Sequence, residues 1–217
     1  MLPIREINNG KISHVFFDFD DTIIRATDQL VSIWMHNLSR FQENLTGPEL
    51  ESAIKGRSAK AAIGELFPDW DHARRESFIS ALEIEEEVAD YPLVSGVDQT
   101  IRHLSQAGFS LSIVTNSWTD KVVTTLDRYD LGRYFGKLIT RDVASPQKPS
   151  PIPYLRAMEM NGVSEIATCV AIEDSPTGIL AAKSAGLTCI GLGNEDLRRV
   201  GADFVIHNFS DLLADIE

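Results

Sequence analysis

A short apolar run that ends in several carboxylates constrains this chain more than any other stretch. The run from His14 to Phe17 is followed directly by Asp18-Phe19-Asp20-Asp21-Thr22, a pattern typical of a buried strand whose carboxyl end opens into a site. Asp18 and Asp20 are two positions apart, so a regular strand would direct both side chains to one face and crowd two negative charges. A hard cation such as Mg²⁺, which binds oxygen ligands and substrate phosphate, would compensate them. The alternative is a strand end with solvated acidic side chains.

The spacing of apolar residues predicts an α/β fold with a helical insertion. From about residue 91, strand-like runs alternate with helical patterns, which predicts a mostly parallel sheet covered on both faces. The predicted strands after the first cover 109–115, 137–140, 167–172, 188–192 and 203–206. Helical spacing before them predicts helices over 30–45, 48–55, 58–67 and 71–90. We therefore expect a core of residues 1–24 and 91–217 and, inserted after the first strand and placed over the site, a small helical domain of residues 25–90.

Composition limits the partners that this chain can have. Its 217 residues are 43% hydrophobic, enough for a substantial core, and carry a formal net charge of −12 at pH 7. That charge repels nucleic acid and anionic membranes, so we expect neither as a partner. No run approaches the length of a membrane span and the two cysteines make no disulfide framework, so we expect a cytoplasmic protein. A monomer and a homodimer both stay open.

Three later segments repeat the combination of an apolar run and polar residues. Thr115 and Asn116 follow the run 111–114, where a hydroxyl and an amide beside the N–H groups of a coming helix suit phosphate oxygens. Glu173 and Asp174 end another apolar run and could complete a metal site. Lys148 lies in a proline-rich loop whose restricted backbone could hold an ammonium in place. Taken singly, these residues could also be a helix cap, a solvated turn and a surface lysine.

The four segments together resemble the motifs of the haloacid dehalogenase-like hydrolase superfamily, and the resemblance covers nearly the whole chain. Asp18-Phe19-Asp20-Asp21-Thr22 is similar to its first motif, Thr115-Asn116 to its second, Lys148 to its third and Glu173-Asp174-Ser175 to its fourth. The segment 173–182 is especially similar to members with a helical cap inserted after the first motif, which include phosphoglycolate phosphatase and β-phosphoglucomutase. The resemblance implies a Rossmann-like core with the first-motif strand central, and a cap of four or five helices that closes over a phosphorylated substrate.

The resemblance also implies catalytic roles for the motif residues. Asp18 would attack phosphorus and form an aspartyl-phosphate. Asp20 would protonate the leaving oxygen and later take a proton from the attacking water. Thr115 and Lys148 would hold the phosphoryl oxygens, with Asn116 beside them.

The same resemblance implies a Mg²⁺ site. The metal would be bound by Asp18, by the backbone carbonyl of Asp20 and by Asp174, and Glu173 lies next to this set. If Asp20 enters protonated, the other three carboxylates carry three negative charges, which Mg²⁺ and Lys148 would balance. Without metal, the site would be strongly anionic and would repel phosphate.

Arg57 and Lys60 are the candidates for substrate contact from the insertion. Lys55-Gly56-Arg57-Ser58 resembles a cap loop that faces the active site in β-phosphoglucomutase, although Arg57 and Lys60 could also be exposed charges at a helix end. Ala59 and Leu30 stand where that mutase would have an arginine and a histidine. Both differences favour hydrolysis over mutase chemistry.

The sequence therefore predicts a Mg²⁺-dependent phosphatase that acts on a small phosphorylated metabolite, such as a sugar phosphate, phosphoglycolate or a nucleotide. Asp20 favours phosphoryl transfer over carbon–halogen cleavage, because dehalogenases of the superfamily lack the second aspartate of the first motif. A phosphohexomutase similar to β-phosphoglucomutase and a non-enzymatic sensor of a phosphate ligand stay open as alternatives. A signalling receiver module is disfavoured, since receivers lack a helical insertion.

Overall fold

The structure is a computed structural model that describes residues 4, 7–54 and 57–213. Its strands are β1 (His14–Phe17), β2 (Ser110–Val114), β3 (Phe135–Ile139), β4 (Cys169–Glu173), β5 (Thr188–Leu192) and β6 (Phe204–Ile206). Its α-helices are α1 (Thr27–Arg40), α2 (Gly47–Ile54), α3 (Ala59–Leu66), α4 (His72–Val88), α5 (Val97–Gln106), α6 (Thr119–Arg128), α7 (Ile152–Met160), α8 (Pro176–Ser184), α9 (Asp196–Val200) and α10 (Ser210–Leu213). Lys55 and Gly56, which belong to the loop that resembles a cap loop, lie outside the described residues.

These elements divide into two units. The core unit comprises the described residues up to Ile24 and from Leu93 onward, and the helical unit comprises Arg25–Pro92. All the strands named above belong to the core unit, and α1 to α4 make up the helical unit. Each unit has a buried apolar cluster of its own.

The sheet of the core unit is parallel throughout its described strands. Its order is β3-β2-β1-β4-β5-β6, and each neighbouring pair is parallel. β1 lies between β2 and β4, with Phe17 opposite Ile113 on one side and Ile172 on the other. This register brings the carboxyl ends of three strands to one edge, where ligands bind in open parallel sheets. The predicted α/β, Rossmann-like fold is confirmed, with β1 in a central position.

Consecutive phenylalanines of β1 bury opposite faces of the sheet. The rings of Phe16 and Tyr154, which is on α7, have centroids 6.3 Å apart. Phe17 points the other way, toward Phe135 and Phe209, with centroid distances of 6.0 and 6.4 Å. Successive side chains of a strand alternate between its two faces, and both phenylalanines are fully buried. The sheet is therefore covered on both faces, as the sequence predicted.

Four aromatic side chains form the centre of the helical unit. Phe78 of α4 contacts Trp34, Phe41 and Trp70, with ring-centroid distances of 5.4, 5.1 and 5.3 Å. Phe78 is fully buried, and the aliphatic residues of α1, α2 and α3 pack around it in the same cluster. Within the described ranges, no helix of either unit combines the length and the apolar character needed to cross a bilayer.

Helix α1 ends earlier than the sequence predicted. The apolar spacing predicts a helix over 30–45, but α1 ends at Arg40. Gln42 adopts a left-handed backbone conformation with a φ of 62°, and the Glu43 N–H donates to the carbonyl of Leu38 at 2.9 Å, which closes the helix terminus. Leu45 still packs against the aromatic cluster. The spacing therefore predicted which side chains are buried but not where the helix stops.

Candidate active site

The motif residues of the core unit gather at the carboxyl edge of the sheet. Asp18 follows β1, Thr115 follows β2, and Glu173 is the last residue of β4. The Asp18 N–H donates to the Ile172 carbonyl at 3.0 Å, and the Thr115 N–H donates to the Ile139 carbonyl at 2.9 Å. These bonds continue the sheet by one residue and fix the points at which the polar side chains leave it.

Lys148 bridges two buried carboxylates. Its Nζ lies 2.7 Å from Asp18 Oδ1 and 2.5 Å from Glu173 Oε1. Burial by itself lowers the pKa of a lysine, but Asp18 and Glu173 outweigh that effect and raise the pKa of Lys148. Lys148 is therefore charged in this position. Because buried ions are costly unless each has a partner, the two carboxylates hold the ammonium in place.

Burial also affects the two carboxylates. It raises the pKa of Asp18, although Lys148 opposes the shift. It raises the pKa of Glu173 to about 7, again against the effect of Lys148. The Tyr154 hydroxyl donates to Glu173 Oε1, so Lys148 and Tyr154 share one oxygen of this carboxylate. The other oxygen, Oε2, is buried without a hydrogen-bond partner among the described residues.

Three carboxylates could hold a metal ion. Asp18, Glu173 and Asp174, here called the carboxylate cluster, each offer an oxygen, and these oxygens lie within 4.8 Å of one another. An all-oxygen donor set suits a hard cation such as Mg²⁺, and the unpartnered, buried Oε2 of Glu173 adds negative potential to the same place. The residues present therefore fit the metal that the sequence predicts. The Asp20 side chain is not part of the cluster, and the predicted contribution of its backbone carbonyl stays a prediction.

The predicted phosphate-binding residues of the second motif have partners in the protein. Thr115 Oγ1 accepts a hydrogen bond from the Ser117 N–H at 3.0 Å. The Asn116 amide bonds to the backbone of Lys148 at both ends: Nδ2 donates to the carbonyl at 3.2 Å, and Oδ1 accepts from the N–H at 3.0 Å. Asn116 therefore holds the loop that presents Lys148. A direct contact of Thr115 or Asn116 with phosphate stays a prediction.

Two residues that the motifs did not include hold the side chain of Asp20. Lys121 of α6 places its Nζ 2.8 Å from Asp20 Oδ1, and its side chain is 4% exposed. The Ser117 hydroxyl donates to Asp20 Oδ2. The sequence offers no spacing signal for these contacts, since Ser117 lies before α6 and Lys121 lies within it. The sequence also did not predict the hydrogen bond of Tyr154 to Glu173.

The two predicted substrate contacts of the insertion belong to the helical unit. Arg57 forms an ion pair with Glu65 of α3, and the Arg57 side chain is 42% exposed. Lys60 lines a cavity of about 260 Å³ together with Trp70 and Arg75, all within the helical unit. Their contact with substrate stays a prediction.

Comparisons with known proteins indicate the family of this chain. The family model described as haloacid dehalogenase-like hydrolase matches residues 15–192. The chain is 29% identical over 212 residues to phosphoglycolate phosphatase 1 of Pseudomonas aeruginosa, in an alignment that covers 92% of this chain and 78% of that protein. It is 25% identical over 220 residues to pyrophosphatase PpaX of Halalkalibacterium halodurans, covering 94% and 96% of the two chains.

A solved structure shares the fold. The crystal structure of a predicted phosphoglycolate phosphatase from Haemophilus somnus 129PT superposes with a TM-score of 0.83, at 20% identity, over 94% of this chain and 97% of that chain. The family match includes all four motifs, from Asp18 to Asp174. The family predicted from the motifs is therefore confirmed. The chain belongs to the haloacid dehalogenase-like hydrolases and is an enzyme of that family.

Proposed function

We propose that this enzyme is a Mg²⁺-dependent phosphatase that hydrolyses a small phosphate monoester through an aspartyl-phosphate. The observation that carries the proposal is the Asp18 carboxylate at the end of the central strand, paired to Lys148 and adjoined by Glu173 and Asp174. The names of two relatives, a phosphoglycolate phosphatase and a pyrophosphatase, support phosphorus as the centre that is attacked.

In the proposed reaction Asp18 is the nucleophile. One of its carboxylate oxygens forms a bond to phosphorus while the bond from phosphorus to the leaving oxygen breaks. Asp20 gives its proton to the leaving oxygen and becomes a carboxylate. Water then attacks the aspartyl-phosphate, Asp20 takes a proton from it, and the Asp18 carboxylate is released with inorganic phosphate.

The positive charge for this reaction comes from two sources. Lys148 is held as an ammonium within hydrogen-bond distance of Asp18, where it stabilises charge on the phosphoryl oxygens together with the Thr115 hydroxyl. The carboxylate cluster would hold Mg²⁺, which supplies further neutralisation of phosphoryl charge when bound. The chain carries a net charge of −12, so the attraction of an anionic substrate must come from such local charges.

We assign the choice of substrate to the helical unit. Its proposed role is that of a cap, with Arg57 as the residue that contacts the part of the substrate beyond the phosphate. Arg57 is exposed and, in the described residues, its side chain is paired only with an exposed glutamate. An anionic substrate could therefore replace that glutamate as the partner of the guanidinium with little loss of free energy. Sugar phosphates, phosphoglycolate, nucleotides and pyrophosphate are the classes to be compared.

The test is phosphate release from a panel of these four classes, with and without Mg²⁺. We expect Mg²⁺-dependent release from at least one class, and Asp18→Asn to abolish it while the protein stays folded, because an amide is not a nucleophile. Asp196→Asn, a change at an exposed aspartate, is the control for loss of one negative charge. Undiminished turnover by Asp18→Asn would overturn the mechanism. Isomerisation of a sugar phosphate would instead indicate a mutase, and binding without turnover a sensor.

A further inference from the structure

The carboxylate of Asp20 is held at both oxygens by Lys121 of α6 and by Ser117, which lies just before that helix. Lys121 Nζ lies 2.8 Å from Oδ1, and the Ser117 hydroxyl donates to Oδ2. Ser117 lies two residues before α6 and Lys121 lies in its first turn, and each donates to a different oxygen of the carboxylate. The Asp20 side chain is 30% exposed, and its remaining surface is open for contact with a reacting group.

Lys121 is nearly fully buried, which is rare for a lysine. A lysine whose side chain is only 4% exposed has lost nearly all its hydration, which is costly unless the charge is paired. The direct ion pair with Asp20 offsets that desolvation cost. An apolar residue would fill the same space on α6 without desolvating a charge, so packing alone does not account for an ammonium here. Because Lys121 is buried, we do not expect it to contact the substrate.

We propose that Lys121 and Ser117 are positioning residues that hold the Asp20 carboxyl group in the orientation needed for proton transfer to the leaving oxygen. The inference rests on the proposed phosphatase function. A lysine ammonium is only a donor, so it stays with Oδ1, whereas a serine hydroxyl both donates and accepts and can remain beside Oδ2 in either protonation state. The pair thus keeps the rotamer of Asp20 fixed while Oδ2 gives its proton to the leaving oxygen as the P–O bond breaks.

This role predicts a dependence on the leaving group. An alkyl phosphate has a strongly basic leaving oxygen that needs the proton, whereas p-nitrophenolate leaves readily without it. We expect Lys121→Met to lower kcat for an alkyl phosphate from the panel by about ten- to a hundredfold, part of the factor that general acid catalysis contributes. KM and the kcat for p-nitrophenyl phosphate should change by less than about threefold. Ser117→Ala should act in the same direction with a smaller loss.

A double-mutant cycle with Asp20→Asn separates positioning from a merely structural role. If Lys121 acts through Asp20, Lys121→Met should cause no further loss of kcat in the Asp20→Asn background. Lys137→Met, which removes an exposed lysine from β3, is the control for the loss of a positive charge. Ser117→Ala removes a single hydroxyl and keeps the test possible even where Lys121→Met does not fold.

Two results would overturn the inference while leaving the proposed function intact. In one, both variants slow the alkyl and the p-nitrophenyl esters equally. In the other, Lys121→Met and Asp20→Asn add independently. A wild-type enzyme that releases phosphate from neither ester would instead overturn the proposed function, and the inference with it.

Discussion

At the scale of single residues, the Glu173 carboxylate occupies the space that a side chain at position 178 would fill. A Cβ built on Gly178 would overlap the carboxylate, including both of its oxygens. Gly178 lies in the first turn of α8, where Ser175 accepts its N–H and caps the helix. The glycine is therefore required for space, and it lets a fully buried glutamate approach the helix start from β4.

Gly178→Ala should displace Glu173 and weaken both stability and activity. Because the neighbouring backbone and Lys148 restrict where the carboxylate can go, we expect a loss of about 1–3 kcal/mol in the free energy of unfolding, the usual cost of overpacking. Phosphate release should fall as well, since Lys148 and Asp18 are bonded in the same network. Urea unfolding and kcat measure the two effects.

Gly64→Ala is the matched control for that change. Gly64 lies inside α3, and a Cβ added there would meet nothing within 4 Å. The helix propensity of alanine should make this variant equal to or up to about 1 kcal/mol more stable than the wild type. Equal stabilities for the two variants would contradict the steric role of Gly178.

The sequence predicts which residues form the site better than it predicts their partners. Asp18, Glu173 and Asp174 stand at the ends of apolar runs, so parallel pairing brings them together without any further information. Lys121 and Asp20 are 101 positions apart, and no spacing rule connects a lysine inside a helix to an aspartate in a distant loop. Asn116, predicted beside phosphate, is bonded to the backbone of Lys148, a contact that depends on the path of a long loop.

At the scale of elements, Phe78 joins the helices of the helical unit. It is the one ring in contact with Trp34, Phe41 and Trp70 at once among the ring pairs of the described residues. Those rings come from α1, the residue after it, and the turn before α4. Removing Phe78 would therefore loosen several elements together.

Phe78→Ala should destabilise the helical unit by about 3–5 kcal/mol, the usual cost of deleting a buried aromatic ring. Trp34 and Trp70 both contact Phe78, so two of the three tryptophans report on this region by fluorescence during urea unfolding. Val88→Ala near the end of α4, where the side chain is 73% exposed, should change stability by less than about 0.5 kcal/mol. A similar small effect for Phe78→Ala would show that the unit does not depend on this cluster.

Element positions follow the sequence where burial sets the pattern. Strands β1, β4 and β5 are buried at nearly every position because both faces of the sheet are covered, and the observed strands agree with the predicted runs to within two residues. The end of α1 does not follow the apolar spacing, since the sequence carries no strong signal for the left-handed conformation of Gln42 that terminates it. Apolar residues beyond Arg40 continue the helical spacing while the backbone has already turned.

At the scale of the whole molecule, part of the negative charge of the chain is concentrated at one place in the core unit. The chain has 32 acidic and 20 basic residues, and it brings three carboxylates to within 4.8 Å of one another in the core unit. The family and the fold follow from the sequence because the motifs stand at fixed points of one sheet. The substrate does not follow from the sequence, since the same fold supports different substrates.

Mg²⁺ should stabilise the core unit independently of any turnover. Lys148 leaves the carboxylate cluster with an excess of negative charge, so a bound cation favours the folded state by mass action, by about 2.7 kcal/mol when its concentration is a hundred times its Kd. We expect the thermal midpoint, followed by far-UV circular dichroism, to rise with MgCl₂ and to return to its original value when EDTA is added.

NaCl of equal ionic strength controls for screening of charges by salt. Asp174→Asn should lose most of the rise, whereas Asp196→Asn, an exposed change outside the cluster, should keep it. Because the readout is unfolding, an equal rise in both variants would place the metal elsewhere even if the enzyme proved to be active.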